Sequence, residues 1–179
     1  MSIFRSLDIT PKNTFFTLLF FTGLYLSVLE INIYRKTFIP FSIPLFIWIL
    51  TGLFITPFLL KMLPGYLKSD RIIYQIAFNI FTYGGIVAYL FMALNFYGAK
   101  TYHISATLMV TGTGHLAKSR NSCGEPYTEV RYQELDKQLF FPCGTVIEGA
   151  NTVTVILNKG FFGYDVIDDQ KLSKEKVNF

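Results

Sequence analysis

Cys123 and Cys143 are the only cysteines of the chain, and each is followed by glycine. Thiols this far apart are not the C-x-x-C pair of a thiol oxidoreductase, in which neighbouring turns of chain tune one thiolate. In an oxidising compartment they would join, closing a loop of about 20 residues and contributing roughly 3 kcal/mol in the chain-entropy picture. A structural disulfide between Cys123 and Cys143 is therefore expected, with buried free thiols as the alternative. His103 and His115, with Cys123 nearby, are residue types that bind zinc. A structural zinc site wants four ligands at short spacings, however, and the cysteines are better used in a bridge, so no metal is predicted.

Thr111-Gly112-Thr113-Gly114 has the glycines of a phosphate loop without the G-x-G-x-x-G spacing or a following helix, and it reads as a hairpin turn. Asp165, Asp168 and Asp169 lack the ligand alternation of a calcium loop and read as a solvated turn after the last strand. Neither G-x-S-x-G nor H-E-x-x-H occurs. No catalytic residue and no cofactor are predicted. Glu30 closes an otherwise uncharged apolar run, a place where acids can line an ion path. Arg35 and Lys36 follow closely, so an interfacial ion pair is the expectation. Gln75 and Asn79 are polar but uncharged, and they suit hydrogen bonds between helices.

The elements that must position these groups are of two kinds. Hydrophobic residues make up 51% of the 179-residue chain, with 19 Phe and 11 Tyr, and the mean hydropathy of +0.40 points to a membrane protein. Ile72 to Tyr97 contains no Asp, Glu, Lys or Arg and exceeds the roughly 20 residues that a spanning helix needs. Two further apolar runs precede it, giving helices over about 14–34, 43–63 and 72–97. The first is too long for a signal-peptide core and lacks a small-x-small cleavage site before Arg35-Lys36. Pro40 and Pro44 fall at the start of the second run, and Pro57 inside it predicts a kink. Gly84-Gly85, near the middle of the third, predicts a close approach to another helix.

The formal net charge of +4 is carried by residues 1–97, with seven basic against three acidic side chains; the remainder is balanced. The excess thus lies beside the apolar runs, where it sets topology and meets lipid headgroups, and no nucleic-acid partner is expected. With the N-terminus inside, Arg5, Lys12, Lys61, Lys68 and Arg71 flank the inner side, and Arg35, Lys36 and Lys100 the outer. This count predicts three crossings and an extracytoplasmic C-terminal domain, on the side where a disulfide forms. Absence of a glycosylation sequon fits a bacterial cytoplasmic membrane.

After residue 100 the pattern changes to short runs of strand formers punctuated by Gly, Pro and Asn. A first hairpin is expected over His103–Val110 and His115–Arg120. In Tyr127–Gln133, Thr128, Val130 and Tyr132 share one face and Glu129 and Arg131 the other. Further strands are predicted over Lys137–Phe141, Thr152–Leu157 and Phe161–Ile167. The fold class is three transmembrane helices (residues 1–99) followed by a small all-β domain (100–170) of about five to six antiparallel strands, as a sandwich or open barrel. Residues 171–179 read as a polar tail.

This arrangement suggests a non-enzymatic accessory or partner-binding subunit that meets lipid and another membrane or periplasmic protein. A membrane immunity or inhibitor protein against a toxin is one alternative, and a small transporter subunit or membrane enzyme is another. Contact candidates are Tyr127 and Arg131 on the strand and Phe161, Phe162 and Tyr164 in the aromatic turn, which would form an apolar patch if exposed.

Overall fold

The computed structural model describes residues 11–62, 72–118 and 124–173. They form two compact units, one of Met1–Ile31 with Phe41–Met92 and one of Asn32–Pro40 with Ala93–Phe179. The topology-setting Arg5, Lys68 and Arg71, together with Cys123, lie outside the described residues, as does most of the polar tail.

The first unit is helical. Helix α1 (Pro11–Arg35) and helix α2 (Ser42–Met62) follow the first two apolar runs, and α2 continues through Pro57. The third run is helical in three parts: α3 (Ile72–Asn79), a π-helical turn (Ile80–Gly84) and α4 (Gly85–Tyr97). Among the described residues, three helices are thus long and apolar enough to cross a membrane, over Thr14–Arg35, Ser42–Lys61 and Ile72–Tyr97. Small residues line the contacts with the π-helical turn. A β-carbon at Gly23 of α1 would sit 2.5 Å from the Thr82 carbonyl oxygen, and one at Gly52 of α2 would overlap Ile80. Phe20 and Phe78 stack beside this contact, with ring centroids 5.1 Å apart.

The second unit is a six-stranded antiparallel sheet in the order β1-β6-β5-β2-β3-β4. The strands are β1 (Thr37–Phe38), β2 (Lys100–His115), β3 (Pro126–Tyr132), β4 (Leu135–Phe140), β5 (Thr152–Lys159) and β6 (Asp165–Ser173). The sheet curls until its two edges face each other and the barrel is nearly closed. Phe38 on β1 places its ring 4.6 Å from that of Tyr132 on β3, and Gln170 of β6 donates to the Phe140 carbonyl of β4. Val130, Leu139, Val153, Val155 and Leu157 fill the interior at alternating positions, with Phe38 and Phe141 beside them. Tyr132 and Leu135 are joined through Gln133 and Glu134 at φ 46° and 67°, the backbone of a two-residue hairpin whose twist matches the strands.

Three expectations need correction. The sheet does not simply follow the helices, because β1 comes from the connection between α1 and α2, where only a loop was expected. Thr37 pairs with Val166 and Phe38 with Asp165. A two-residue strand has no period of its own; its partner β6 defines it. Secondly, Thr111–Gly114 is not a turn: β2 runs unbroken from Lys100 to His115, pairing with β5 in its first part and β3 in its second. Its glycines serve cross-strand neighbours instead. A β-carbon at Gly114 would sit 2.5 Å from Tyr127 Oη, and one at Gly112 would sit 2.9 Å from Glu129 Oε2, so both side chains fold over bare backbone. His103 and His115 consequently stand on one strand and do not face each other. Thirdly, the last strand is Asp165–Ser173 and not Phe161–Ile167: Phe161–Gly163 form a turn before it, Lys171–Ser173 of the expected tail belong to it, and Asp165, Asp168 and Asp169 lie within it rather than after it.

Candidate functional site

The barrel unit contains a cleft of about 490 Å³, walled by the end of α1, the start of β3, the end of β4 and the middle of β6. Arg35, in the last turn of α1, supplies its cation. The guanidinium carbon lies 4.4 Å from the Phe140 ring centroid, and Nη1 lies 3.3 Å from Glu125 Oε2. Stacking on a ring while pairing with a carboxylate holds a long side chain in one pose. Lys36, Asp168, Asp169 and Gln170 complete the polar lining, and Phe141, Pro142 and Ile167 the apolar part. The backbone fixes the frame: Ile167 N donates to Lys36 O at 2.8 Å, and Phe141 N to Pro126 O at 2.8 Å. The result is an aromatic floor beneath charges of both signs.

Two buried polar groups support this frame. Asp165 is 7% exposed, yet it accepts from Lys159 Nζ at 2.9 Å and from the Tyr132 hydroxyl at 2.9 Å. Burial, then the hydrogen bond and charge of Asp165, pushes the Tyr132 hydroxyl up to about 12. Lys137 faces the interior from β4. Its ammonium donates to the Tyr34 carbonyl at 2.7 Å and lies 3.5 Å from the Tyr34 ring centroid. Thr37 Oγ1 donates to the neighbouring Ile33 carbonyl at 3.2 Å. Together they bond the carbonyls of the last turn of α1, where Ile33 O also accepts from Lys36 N at 3.0 Å, and a cation there suits the helix dipole.

Burial lowers Lys137 to about 8. Because the unfolded chain keeps this proton up to the ordinary lysine value, the unfolded state binds more protons between pH 8 and pH 10.5. Stability should therefore rise with pH across that window, by on the order of 3 kcal/mol from this group. Tyr132 acts with the opposite sign: the folded state holds its proton from pH 10 to about 12, so stability falls there. Thermal midpoints of the detergent-solubilised chain should climb from pH 8 to pH 10, and Lys137→Met should remove that climb. An unchanged climb in Lys137→Met would assign it to another group.

The contact candidates fall in separate places. Tyr127 lies beside the cleft, its ring centroid 5.8 Å from that of Phe140. Arg131 is turned outward and makes a two-pronged pair with Asp136 at 2.7 and 2.9 Å. This pairing raises the Arg131 guanidinium and lowers the Asp136 carboxyl. Phe161, Phe162 and Tyr164 belong to the turn before β6, next to Asn95 of α4. Cys143 lies in the loop after β4, and no cysteine among the described residues is free; its expected partner Cys123 lies outside them. In the helical unit, a β-carbon at Gly84 would overlap the Trp48 carbonyl of α2, and one at Gly85 would sit 2.5 Å from Ser27 Oγ of α1. Gln75, Asn79 and Thr82 are buried, and Asn79 Nδ2 donates to Thr56 Oγ1 at 2.9 Å. Among the described residues, Thr82 Oγ1 and Trp48 Nε1 are buried without a hydrogen-bond partner.

Sequence reading did not reach the cleft, because Arg35, Glu125, Phe140 and Asp168 are far apart in the chain. Lys137 did leave a signal. Leu135, Lys137 and Leu139 share one face of a strand, so the alternation that turns both leucines inward turns the lysine inward too.

These features define a class of chain: three long apolar helices joined to a six-stranded, nearly closed antiparallel barrel with a charged, aromatic-floored cleft. No family model, curated protein or solved structure matches it.

Proposed function

We propose that the three helices cross the bacterial cytoplasmic membrane and that the barrel, on the extracytoplasmic side, is a non-enzymatic module that captures a partner protein through the cleft. What supports membrane insertion is the inverted polarity of the helical unit. Phe54 and Phe58 are 75% and 62% exposed, whereas Thr56, between them on the same helix, is 2% exposed. Water would penalise that arrangement, and lipid rewards it. The sidedness rests on the basic flanks and on the proposed Cys123–Cys143 bridge.

The observation that carries the binding role is Arg35, held over Phe140 in the cleft. Arginine and aromatic side chains in a partly enclosed pocket are the groups that dominate protein interfaces. The cleft would take a segment bearing an acidic group for Arg35 and Lys36 and a basic group for Asp168 and Asp169. The test is to place a photo-crosslinking amino acid at Asp168 in the full chain in intact cells. A discrete crosslinked partner should form, and Arg35→Glu should abolish it. The Arg35–Glu125 pair is 37% and 43% exposed, so its loss alone costs at most about 1 kcal/mol; because the reversal also sets a carboxylate against Glu125, Arg35→Gln is run beside it, and both variants must keep the native circular dichroism spectrum for the comparison to count. An identical crosslink pattern with and without Arg35→Glu would remove the cleft from the reading.

A further inference from the structure

The turn Gly160–Tyr164 is unusually well fastened for a segment that presents apolar rings outward. Asn95, in the last turn of α4, is fully buried. Its carbonyl accepts from Phe161 N at 3.2 Å, its Oδ1 accepts from Phe162 N at 3.0 Å, and its Nδ2 donates to Tyr164 O at 3.2 Å. Gly163, at φ 89°, closes the turn, and its N–H donates to Gly160 O at 2.9 Å. This clamp holds Phe161 and Phe162 edge to face, 67% and 43% exposed; Tyr97, the last residue of α4, is 73% exposed. Immediately beyond, Lys100 and Lys159 stand opposite each other in the β2–β5 register.

The geometry points to this turn as an interfacial lipid anchor: Phe161 and Phe162 enter the boundary between acyl chains and headgroups, and Lys100 meets anionic phosphates. The inference rests on the membrane reading given above. Two observations favour lipid over a protein partner. The turn is bonded to the terminal turn of an apolar span, and the end of such a span lies at the membrane boundary, where aromatic belts form. Lys100 also follows the end of α4 by three residues, where the headgroups of an anionic bilayer lie beyond the hydrocarbon. A rigid loop that displays two phenyl rings gains nothing from water, but it gains apolar burial in lipid.

The test uses the full chain in vesicles of phosphatidylcholine and phosphatidylglycerol at three to one, with brominated acyl chains as a quencher and iodide as the aqueous one. Phe161→Trp and Phe162→Trp are compared with Phe54→Trp, at an exposed position of α2, each as a difference from the native chain with its one tryptophan, Trp48. The emission added at 161 and 162 should be blue-shifted, lost to bromine near the carbonyl end of the acyl chain, and insensitive to iodide. If Phe54→Trp is quenched by brominated lipid while emission at 161 and 162 is red and quenched by iodide, the anchor is overturned, the membrane reading stands, and the turn is left to a protein partner. If Phe54→Trp escapes brominated lipid as well, the membrane reading falls and the anchor falls with it.

Discussion

Placing leucine at Gly85 should destabilise the helical unit by about 3 kcal/mol or more, the upper end of what overpacking costs. A β-carbon there would lie 2.5 Å from Ser27 Oγ, 2.8 Å from the Gly23 carbonyl oxygen and 3.2 Å from Trp48 Nε1. Ser27 could rotate away, but the Gly23 carbonyl is backbone and moves only if α1 moves. The π-helical turn aggravates the clash, because Gly23 already lies against the Thr82 and Phe81 carbonyls and relief at one contact tightens the next. Val87, two residues on and 38% exposed, is the control: Val87→Leu on the same helix should change little. Thermal midpoints of the two variants in one detergent decide the matter. Equal midpoints would mean that the small residues at this crossing do not set the distance between helices.

Truncating Phe38 to alanine should cost the barrel about 4 kcal/mol, within the range for removing a buried aromatic ring. Phe38 is 5% exposed, packs in the core cluster with Val153 and Leu157, and lies against Tyr132. Loss of the ring would leave an empty space where the edge of the sheet meets β3. The cut should also loosen Tyr132 and, through it, the buried Asp165 network. Near-ultraviolet circular dichroism should lose intensity, and chemical unfolding should move to lower denaturant. Phe41→Ala, three residues on at a site 62% exposed, should leave both nearly unchanged. A neutral Phe38→Ala would show that β1 is not part of the core.

The extent to which the sequence foretold this structure differs from element to element. The three apolar spans were legible because length and lack of charge suffice to identify them. Alternation identified β3, whose Thr128 and Val130 point inward and Glu129 and Arg131 outward, and the Val/Thr/Ile run identified β5. What was lost depends on partners. Thr37 and Phe38 are a strand only because Val166 and Asp165 lie alongside. Gly112 and Gly114 look like turn residues until the side chains of Glu129 and Tyr127 are seen lying over them. The three aspartates form one cluster on paper, yet Asp165 turns into the barrel towards Lys159 and Tyr132 while Asp168 and Asp169 line the cleft. The cleft itself gathers residues from four elements and has no local signature.

The pairing of residue 37 with residue 166 also orders events during synthesis. The strand β1 is made early, between the first two helices, and waits with Phe38 uncovered until nearly the whole chain has been translated. Any break before β6 leaves β1 without the strand it pairs with. A fragment beginning at residue 100 has the opposite fault: it lacks β1 and exposes the hydrogen-bonding edge of β6, a template for aggregation. Closure of the barrel thus reports that the connection between the first two helices has met the last strand, and the fold carries its own check on completeness before the cleft, whose walls include Arg35 and Ile167, can form.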